Sequence, residues 1–241
     1  MSTPVTDNSR MPESRHRTRA RARPGEGAQL RDDILDAAEA MLVESGTESA
    51  LTMRAVASRT GVTTPSVYLH FENKETLVDA VCLRVWDQLG IHVRESAARH
   101  RDPFTALAAQ ARAFTHFALD HPIQYRVLMM RQSSSPGVAL AARECYKFHL
   151  ETVSQCIETG IFQGSPQRLA IGLWSALHGY VSLLISQPDF PWPVDIEVIL
   201  LDTIRMAGFG TAIASRLPER LHLSEADLPD RLDRAAEEIV R

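Results

Sequence analysis

Apolar residues along this chain recur at intervals of three and four, the helical period, with no strand-like two-residue alternation. Leu30, Ile34, Ala37, Ala38, Met41 and Leu42 share one face, opposite Arg31, Asp32, Asp33, Asp36 and Glu39, which predicts a packing helix over about 28–44. From Leu51 to Leu77 the pattern breaks into short, sharply punctuated runs. Thr52 can cap a helix starting at Met53, and Leu51 and Val56 can staple its entry. Gly61 follows Thr60 where a left-handed residue closes a helix, and Val62 can fold back onto the last turn. Thr64 then offers a second cap and Pro65 a first helical position, where a missing N–H costs nothing. Helix, short glycine turn, helix is a helix-turn-helix pattern. Asn73 caps the next helix, with Glu75 and Asp79 near its positive end. That helix runs unbroken through Trp86 to about Ala98, far beyond the needs of a three-helix head, and so predicts a mechanical link to the rest.

Beyond Pro103 the helical period persists. Phe104, Leu107, Ala111, Phe114, Ala118 and Leu119 predict an amphipathic helix ended by His121 and Pro122, followed by a short one over Pro122 to Met130. Ser133 to Gly137 reads as a loop and Val138 to about Ile161 as a long helix, punctuated by Gly164, Ser165 and Pro166. Leu169 to Ser186 carries no charged residue, and at about 1.5 Å per residue it falls slightly short of a hydrocarbon core of roughly 30 Å. Gly172, Ser175, Gly179 and Ser182 form a stripe of small residues on it, and Ile196 to Ala214 repeats the device with Ile196, Leu200, Thr203, Ala207, Gly210 and Ala214. Two such seams suggest a four-helix interface across a twofold axis; packing within the chain, or a membrane hairpin, accounts for the same pattern.

The second helix of the corner has a polar face that packing does not explain. Thr63, Thr64, Ser66, Tyr68 and His70 are short or planar hydrogen-bonding groups, while Val67 and Phe71 hold the helix down. Set in a DNA major groove, such a face can touch base edges and phosphates; a solvated helical corner explains it equally. The wider stretch resembles the DNA-binding domain of the TetR family of bacterial transcriptional regulators. The matching residues are Ile34, Ala37, Ala38, Gly46, Thr52, Ala57, Gly61, Val62, Tyr68, Phe71, Lys74 and Leu77, and the run VYLHFENKETL is the most specific part. The resemblance implies DNA contacts from Thr52, Thr63, Thr64, Ser66, Tyr68, His70 and Lys74. Pro65 and Val62 stand where some relatives carry glycine or small polar residues. The resemblance also implies a dimer built on the last two long helices, placing two heads in successive major grooves about 34 to 36 Å apart on a palindromic operator.

Charge is distributed to suit that reading. The 241-residue chain has a net charge of −4, which alone argues against a nucleic-acid partner. Yet Arg10, Arg15, Arg17, Arg19, Arg21 and Arg23 crowd into residues 1–27, which lack apolar periodicity and a secretory h-region. This predicts a disordered basic arm laid on phosphates or the minor groove through Arg19, Arg21 and Arg23; a solubilising tail or a mis-assigned start is the alternative.

Chemistry is sparse elsewhere. The histidines show no H-x-x-x-H or H-E-x-x-H pair, and Cys82, Cys145 and Cys156 have no Cys-x-x-Cys spacing, so neither a metal nor another cofactor is implied. Cys145 and Cys156 lie about 16 Å apart along one helix, too far for a disulfide, and reduced buried thiols in a cytoplasmic protein are the simplest account. Trp174, Leu177, His178 and Gly179 resemble the Trp-His-Gly signature of one TetR subgroup. Trp174 and His178 share a helix face and could line a ligand cavity, or form a packed Trp with a hydrogen-bonded His. Trp86, Phe114, Phe117, Tyr125, Met129, Met130, Tyr146 and His149 are further lining candidates, aromatic and Met-rich enough for an apolar or amphipathic effector.

The expectation is therefore an all-α protein with four parts. These are the arm (1–27), a three-helix helix-turn-helix head (28–76), a larger helical ligand-binding and dimerisation domain (77–217), and a charged tail with at most a loose helix (218–241). Its expected role is a cytoplasmic, ligand-responsive, homodimeric repressor of a double-stranded DNA operator, not an enzyme and not membrane-bound. A helical enzyme using His149 or His178, or an interaction module without sequence-specific DNA binding, are the alternatives.

Overall fold

Side-chain caps fix where most of the helices begin. The computed structural model describes residues 26–130, 133–192, 195–217 and 228–240, and all regular structure among them is helical. The head consists of α1 (Glu26–Ser45), a short 3-10 turn (Glu48–Ala50), α2 (Met53–Arg59) and α3 (Thr64–Tyr68). The body consists of α4 (Lys74–Ala97), α5 (Pro103–Asp120), α6 (Pro122–Met130), α7 (Pro136–Glu158), α8 (Pro166–Ser186) and α9 (Ile196–Ala214), with α10 (Leu228–Val240) after it. The arm and its arginines, residues 218–227 and the side chains of Met129 and Met130 lie outside what is described.

Three body helices start one to three residues before their first periodic apolar position. In each, a cap is followed directly by proline: Asp102 accepts from Thr105 N (2.6 Å), Ser135 from Val138 N (3.5 Å) and Ser165 from Arg168 N (3.5 Å). The expected loop over Ser133 to Gly137 therefore shrinks, and Ser165 and Pro166 open α8 rather than merely interrupting the chain. In the head, the predicted cap at Thr64 is displaced by one residue. Thr63 is the N-cap and spends its hydroxyl on Ser66 Oγ (2.8 Å) instead of a backbone amide.

The turn between α2 and α3 is a Schellman motif. Val62 N donates to Ala57 O (3.0 Å) and Gly61 N to Ser58 O (3.3 Å), with Gly61 at φ +69°, and Val62 packs against the head core. Thr52 caps α2 through Ala55 N (3.1 Å), and Asn73 and Thr76 form a reciprocal capping box at the start of α4.

One hydrophobic cluster runs from the head into the body. Ile34, Ala38, Leu42, Leu51, Val56, Val67 and Phe71 meet Leu77, Val78 and Val81 of α4, and the same cluster continues through Val85, Leu89 and Val93 to Ala113 and Phe117 of α5. Arg84 ties α4 back to α1 through Asp36 (2.5 Å) and Glu39, and Arg59 forks onto Glu44 (2.5 and 2.6 Å) across the ends of α1 and α2. Two further clusters complete the body. Val153, Cys156, Phe162, Ala170 and Leu173 fill the space between α7 and α8, and Tyr125, Leu177, Tyr180, Val181 and Leu200 that between α6, α8 and α9.

Of the described helices, α8 alone is long and apolar enough to cross a membrane by length and composition. Its Ala170, Leu173, Leu177, Tyr180 and Val181 face the body. Its small-residue stripe faces outward instead: Gly172, Ser175, Gly179 and Ser182 are exposed, and a Cβ at either glycine would meet nothing within 4 Å. On α9 the expected seam is split. Leu200 turns into the body at 1% exposure and Thr203 and Ala207 are half-buried, while Ile196, Gly210 and Ala214 are exposed, as are Val198, Leu201, Met206, Phe209 and Ile213 beside them.

Because the space beside Gly61 is open, replacing it with alanine tests the backbone alone. Gly61→Ala should lower stability by about 1–2 kcal/mol in urea unfolding, the cost of a left-handed L-residue; a neutral result would remove the motif from the forces that set the α2–α3 angle.

Candidate nucleic-acid interface and internal cavity

Val67 and Phe71 pin α3 to the head from one side, so the opposite side of this helix is set outward. Tyr68 is 49% exposed, Thr63 is exposed, and Thr64 and His70 are half-buried; together with the exposed Thr52 at the start of α2 they form one polar surface. Ser66 is not on it. It is buried and hydrogen-bonded with Thr63, a part of the helix start rather than of the outer face. Lys74 is also committed: its Nζ donates to the Glu48 carbonyl, holding the head of α4 against the 3-10 turn. Sequence reasoning missed Leu69, which at 76% exposure is an apolar tip at the end of α3. The signal was available, since Leu69 sits two residues from both Val67 and Phe71 and must point away from the core they share.

A cavity of about 310 Å³ lies in the body between α4, α5, α7, α8 and α9. Trp86, Phe114, Tyr146, His149 and Trp174 line it, as their helix positions suggested. Phe117, Tyr125 and His178 do not. Phe117 packs against His121 at a tilt, with ring centres 4.8 Å apart, and Tyr125 bonds His178 Nδ1 (2.8 Å). His178 stands behind the wall, edge-on to Phe114 (4.8 Å) and Trp174 (4.7 Å). Helical period placed these side chains on the correct helices; which of them reaches the void depends on how five helices pack, and no single helix carries that information. Phe104, Gln110, Cys145, Arg205 and Phe209 also line the cavity, and α9 comes so close to Phe104 that a Cβ at Gly208 would sit 3.1 Å from its ring.

The cavity wall is apolar and nearly free of charge. Arg205 is its one charged side chain, 74% exposed and 3.9 Å from Asp202. His149 donates from Nε2 to the Ala170 carbonyl (3.1 Å), which requires the proton on Nε2, and burial pushes its pKa down, so the ring is neutral at pH values above the ordinary imidazole range. Burial pushes the Cys145 thiol up, away from the reactive thiolate form. The other two cysteines are buried, with Cys156 pushed up to about 11. Among the described residues no cluster of His, Cys, Asp or Glu could hold a metal ion. What the space can do is hold a small, mostly apolar molecule against α4.

Comparison with known proteins covers both parts. Residues 34–81 match the family described as bacterial regulatory proteins, tetR family, and residues 107–207 match the tetracyclin repressor-like C-terminal domain. An uncharacterized HTH-type transcriptional regulator of Mycobacterium tuberculosis is 29% identical over 177 residues, covering 72% of this chain and 78% of its own length. The HTH-type transcriptional activator FasR of Mycolicibacterium smegmatis is 30% identical over 151 residues, covering 60% of this chain and 67% of its own. The crystal structure of a TetR family transcription regulator from Marinobacter aquaeolei VT8 has a TM-score of 0.62 at 19% identity, covering 78% of this chain and 97% of that one, a likeness of fold.

The Tyr125–His178 pair has a measurable consequence. Burial, with a smaller contribution from His149, pushes His178 down from 6.5 to about 4, so it stays neutral in the fold while an unfolded chain would protonate it. Between these values the unfolded state binds the extra proton. Stability is therefore whole above about pH 6.5 and falls as pH drops towards 4. His178→Gln keeps a hydrogen-bonding partner for Tyr125 but cannot titrate, and should flatten the fall in urea midpoint between pH 6.5 and 4. An unchanged slope would mean that His178 is already solvated in the native state.

Proposed function

The chain belongs to the TetR family of transcriptional regulators, a DNA-binding regulator with a ligand-binding C-terminal domain, and we propose that it acts as a homodimeric repressor released from its operator by a small molecule in the body cavity. The observation that carries this reading is the course of α4. Its first turns share the head core and its Lys74 holds the 3-10 turn, while Trp86, Leu89 and Val93, further along the same helix, line the cavity. A ligand touching the second half of α4 therefore acts on an element whose first half positions α3. Release requires the ligand to favour the arrangement that fits DNA poorly, by a coupling of about 1–3 kcal/mol in typical cases.

In this reading Thr52, Thr63, Thr64, Tyr68 and His70 meet the operator, Leu69 adds apolar contact of the kind a thymine methyl accepts, and Ser66 fixes the start of α3. Lys74 reaches a phosphate only by leaving Glu48, so its first role is to position α4. Arg19, Arg21 and Arg23 extend the contact along the duplex. The twofold partner covers the outer faces of α8 and α9, where the small-residue stripe permits close approach and the exposed apolar side chains gain burial. The work takes place on DNA in the cytoplasm, and the outer face of α8 meets protein rather than lipid. The family and these relatives are regulators, not enzymes. One observation favours a second sign of regulation: a relative at 30% identity is named an activator. Transcription from the bound promoter, with and without the protein, distinguishes the two.

Mobility-shift titration of the full chain against the DNA upstream of its own coding sequence should give a sequence-preferring complex that weakens steeply between 50 and 200 mM salt, both added concentrations being about the range over which counterion release is read. Tyr68→Ala should weaken it by about tenfold or more while light scattering still reports a dimer. Loss of the dimer instead would mean that α3 is not the reading element, and absence of any sequence preference would leave only nonspecific attraction by basic residues.

A further inference from the structure

Two side chains that line the cavity each carry a buried polar atom with no hydrogen-bond partner among the described residues: Gln110 Oε1 and Trp86 Nε1. Gln110 is 3% exposed and Trp86 8%. A buried donor or acceptor left unmade is costly enough that nearly all such groups in folded proteins are paired. These two stand on α5 and α4, beside the same apolar void. The orientation of the Gln110 amide follows from its surroundings. Its Nε2 donates to Thr152 Oγ1 (2.6 Å), and the Thr152 hydroxyl in turn donates to the Phe148 carbonyl (3.2 Å). Flipping the amide would turn the Thr152 hydroxyl towards Oε1 and forfeit the bond to Phe148, so the unmade group is the carbonyl oxygen. The wall thus has one unmet acceptor and one unmet donor.

Resting on the reading of this cavity as the effector site, we infer that the effector is an uncharged, mainly apolar molecule bearing a hydroxyl group that donates to Gln110 Oε1 and accepts from Trp86 Nε1. Charge argues for neutrality. His149 is neutral, and Arg205 lies largely in solvent beside Asp202, so an ionised group inside would have no compensating partner. Size argues for a compact molecule: 310 Å³ is the space of about ten waters. Because Trp86 lies on α4, the same hydrogen bond that recognises the molecule also pulls on the helix that carries the head.

Three probes with one apolar body separate these terms: 2-naphthol, which can donate and accept; 2-methoxynaphthalene, which can only accept; and 2-naphthoate, which is charged. In equilibrium dialysis with the full-length protein, 2-naphthol should bind about tenfold tighter than either of the others. Gln110→Met should reduce the preference for 2-naphthol over the ether to about onefold, whereas Trp86→Phe should weaken both neutral probes and leave their ratio intact. Equal binding of 2-naphthol and its ether to the wild type, preferential binding of 2-naphthoate, or no binding of any probe overturns the inference, and these wild-type results stand even if a variant fails to fold. Selective 2-naphthol binding that leaves the operator complex unchanged would uphold this recognition and sink the ligand-released repressor instead.

Discussion

The two halves of this protein are joined by a line of buried side chains on α4, from Leu77 to Val93, that belongs to the core of both. A helix that merely connected two domains would bury its ends and expose its middle, whereas Val78, Val81, Cys82, Val85 and Leu89 are each at most 2% exposed. Each such side chain contributes on the order of 1.5–3 kcal/mol by its removal from water, so bending α4 away from either neighbour uncovers several of them at once. The head is consequently not a tethered module. Arg84 adds a polar tie to α1, and a Cβ at Gly46 would come within 3.8 Å of Ile123, so α6 abuts the end of α1 as well.

Much of this was legible in the sequence, for reasons that differ between the two halves. In the head, each boundary is set by residues adjacent in the chain: Thr52, Gly61 with Val62, and Asn73 act on amides a few positions away, and their roles were readable because capping is local. The error among these caps was of one residue: Thr63 rather than Thr64 proved to be the N-cap, its hydroxyl bonded to Ser66. In the body, periodicity located every helix between Pro103 and Ala214 but set three starts too late. It registers apolar residues, whereas Asp102, Ser135 and Ser165 with their prolines open those helices before any apolar residue appears. The cavity was only half legible. Trp86, Phe114, Tyr146, His149 and Trp174 reach it while Phe117, Tyr125 and His178 pack elsewhere, a difference decided by contacts between helices far apart in sequence.

The polar groups of the body divide into two kinds. Tyr125 with His178 Nδ1, Tyr180 with the Ile196 carbonyl (2.8 Å), and Arg112 and His116 with Glu197 (2.5 and 2.9 Å) pair across helices and fasten α5, α6, α8 and α9 together, although His178 Nε2 is left without a partner among the described residues. In the mainly apolar wall, Gln110 is instead satisfied at Nε2 alone and Trp86 Nε1 not at all. In a region of low dielectric such groups carry more energetic weight than their number suggests, whether they are met or left unmet.

The stiffness of α4 also has a geometric consequence. At 24 residues it is about 36 Å long, so a tilt of about 5° at its cavity end sweeps the opposite end through about 3 Å. Across the twofold axis of the proposed homodimer the two displacements would add, to about 6 Å against a groove-to-groove repeat of about 34 Å. In the proposed dimer a small tilt at the wall would thus be magnified, with no flexible joint, into a mismatch of almost two base-pair steps at the DNA.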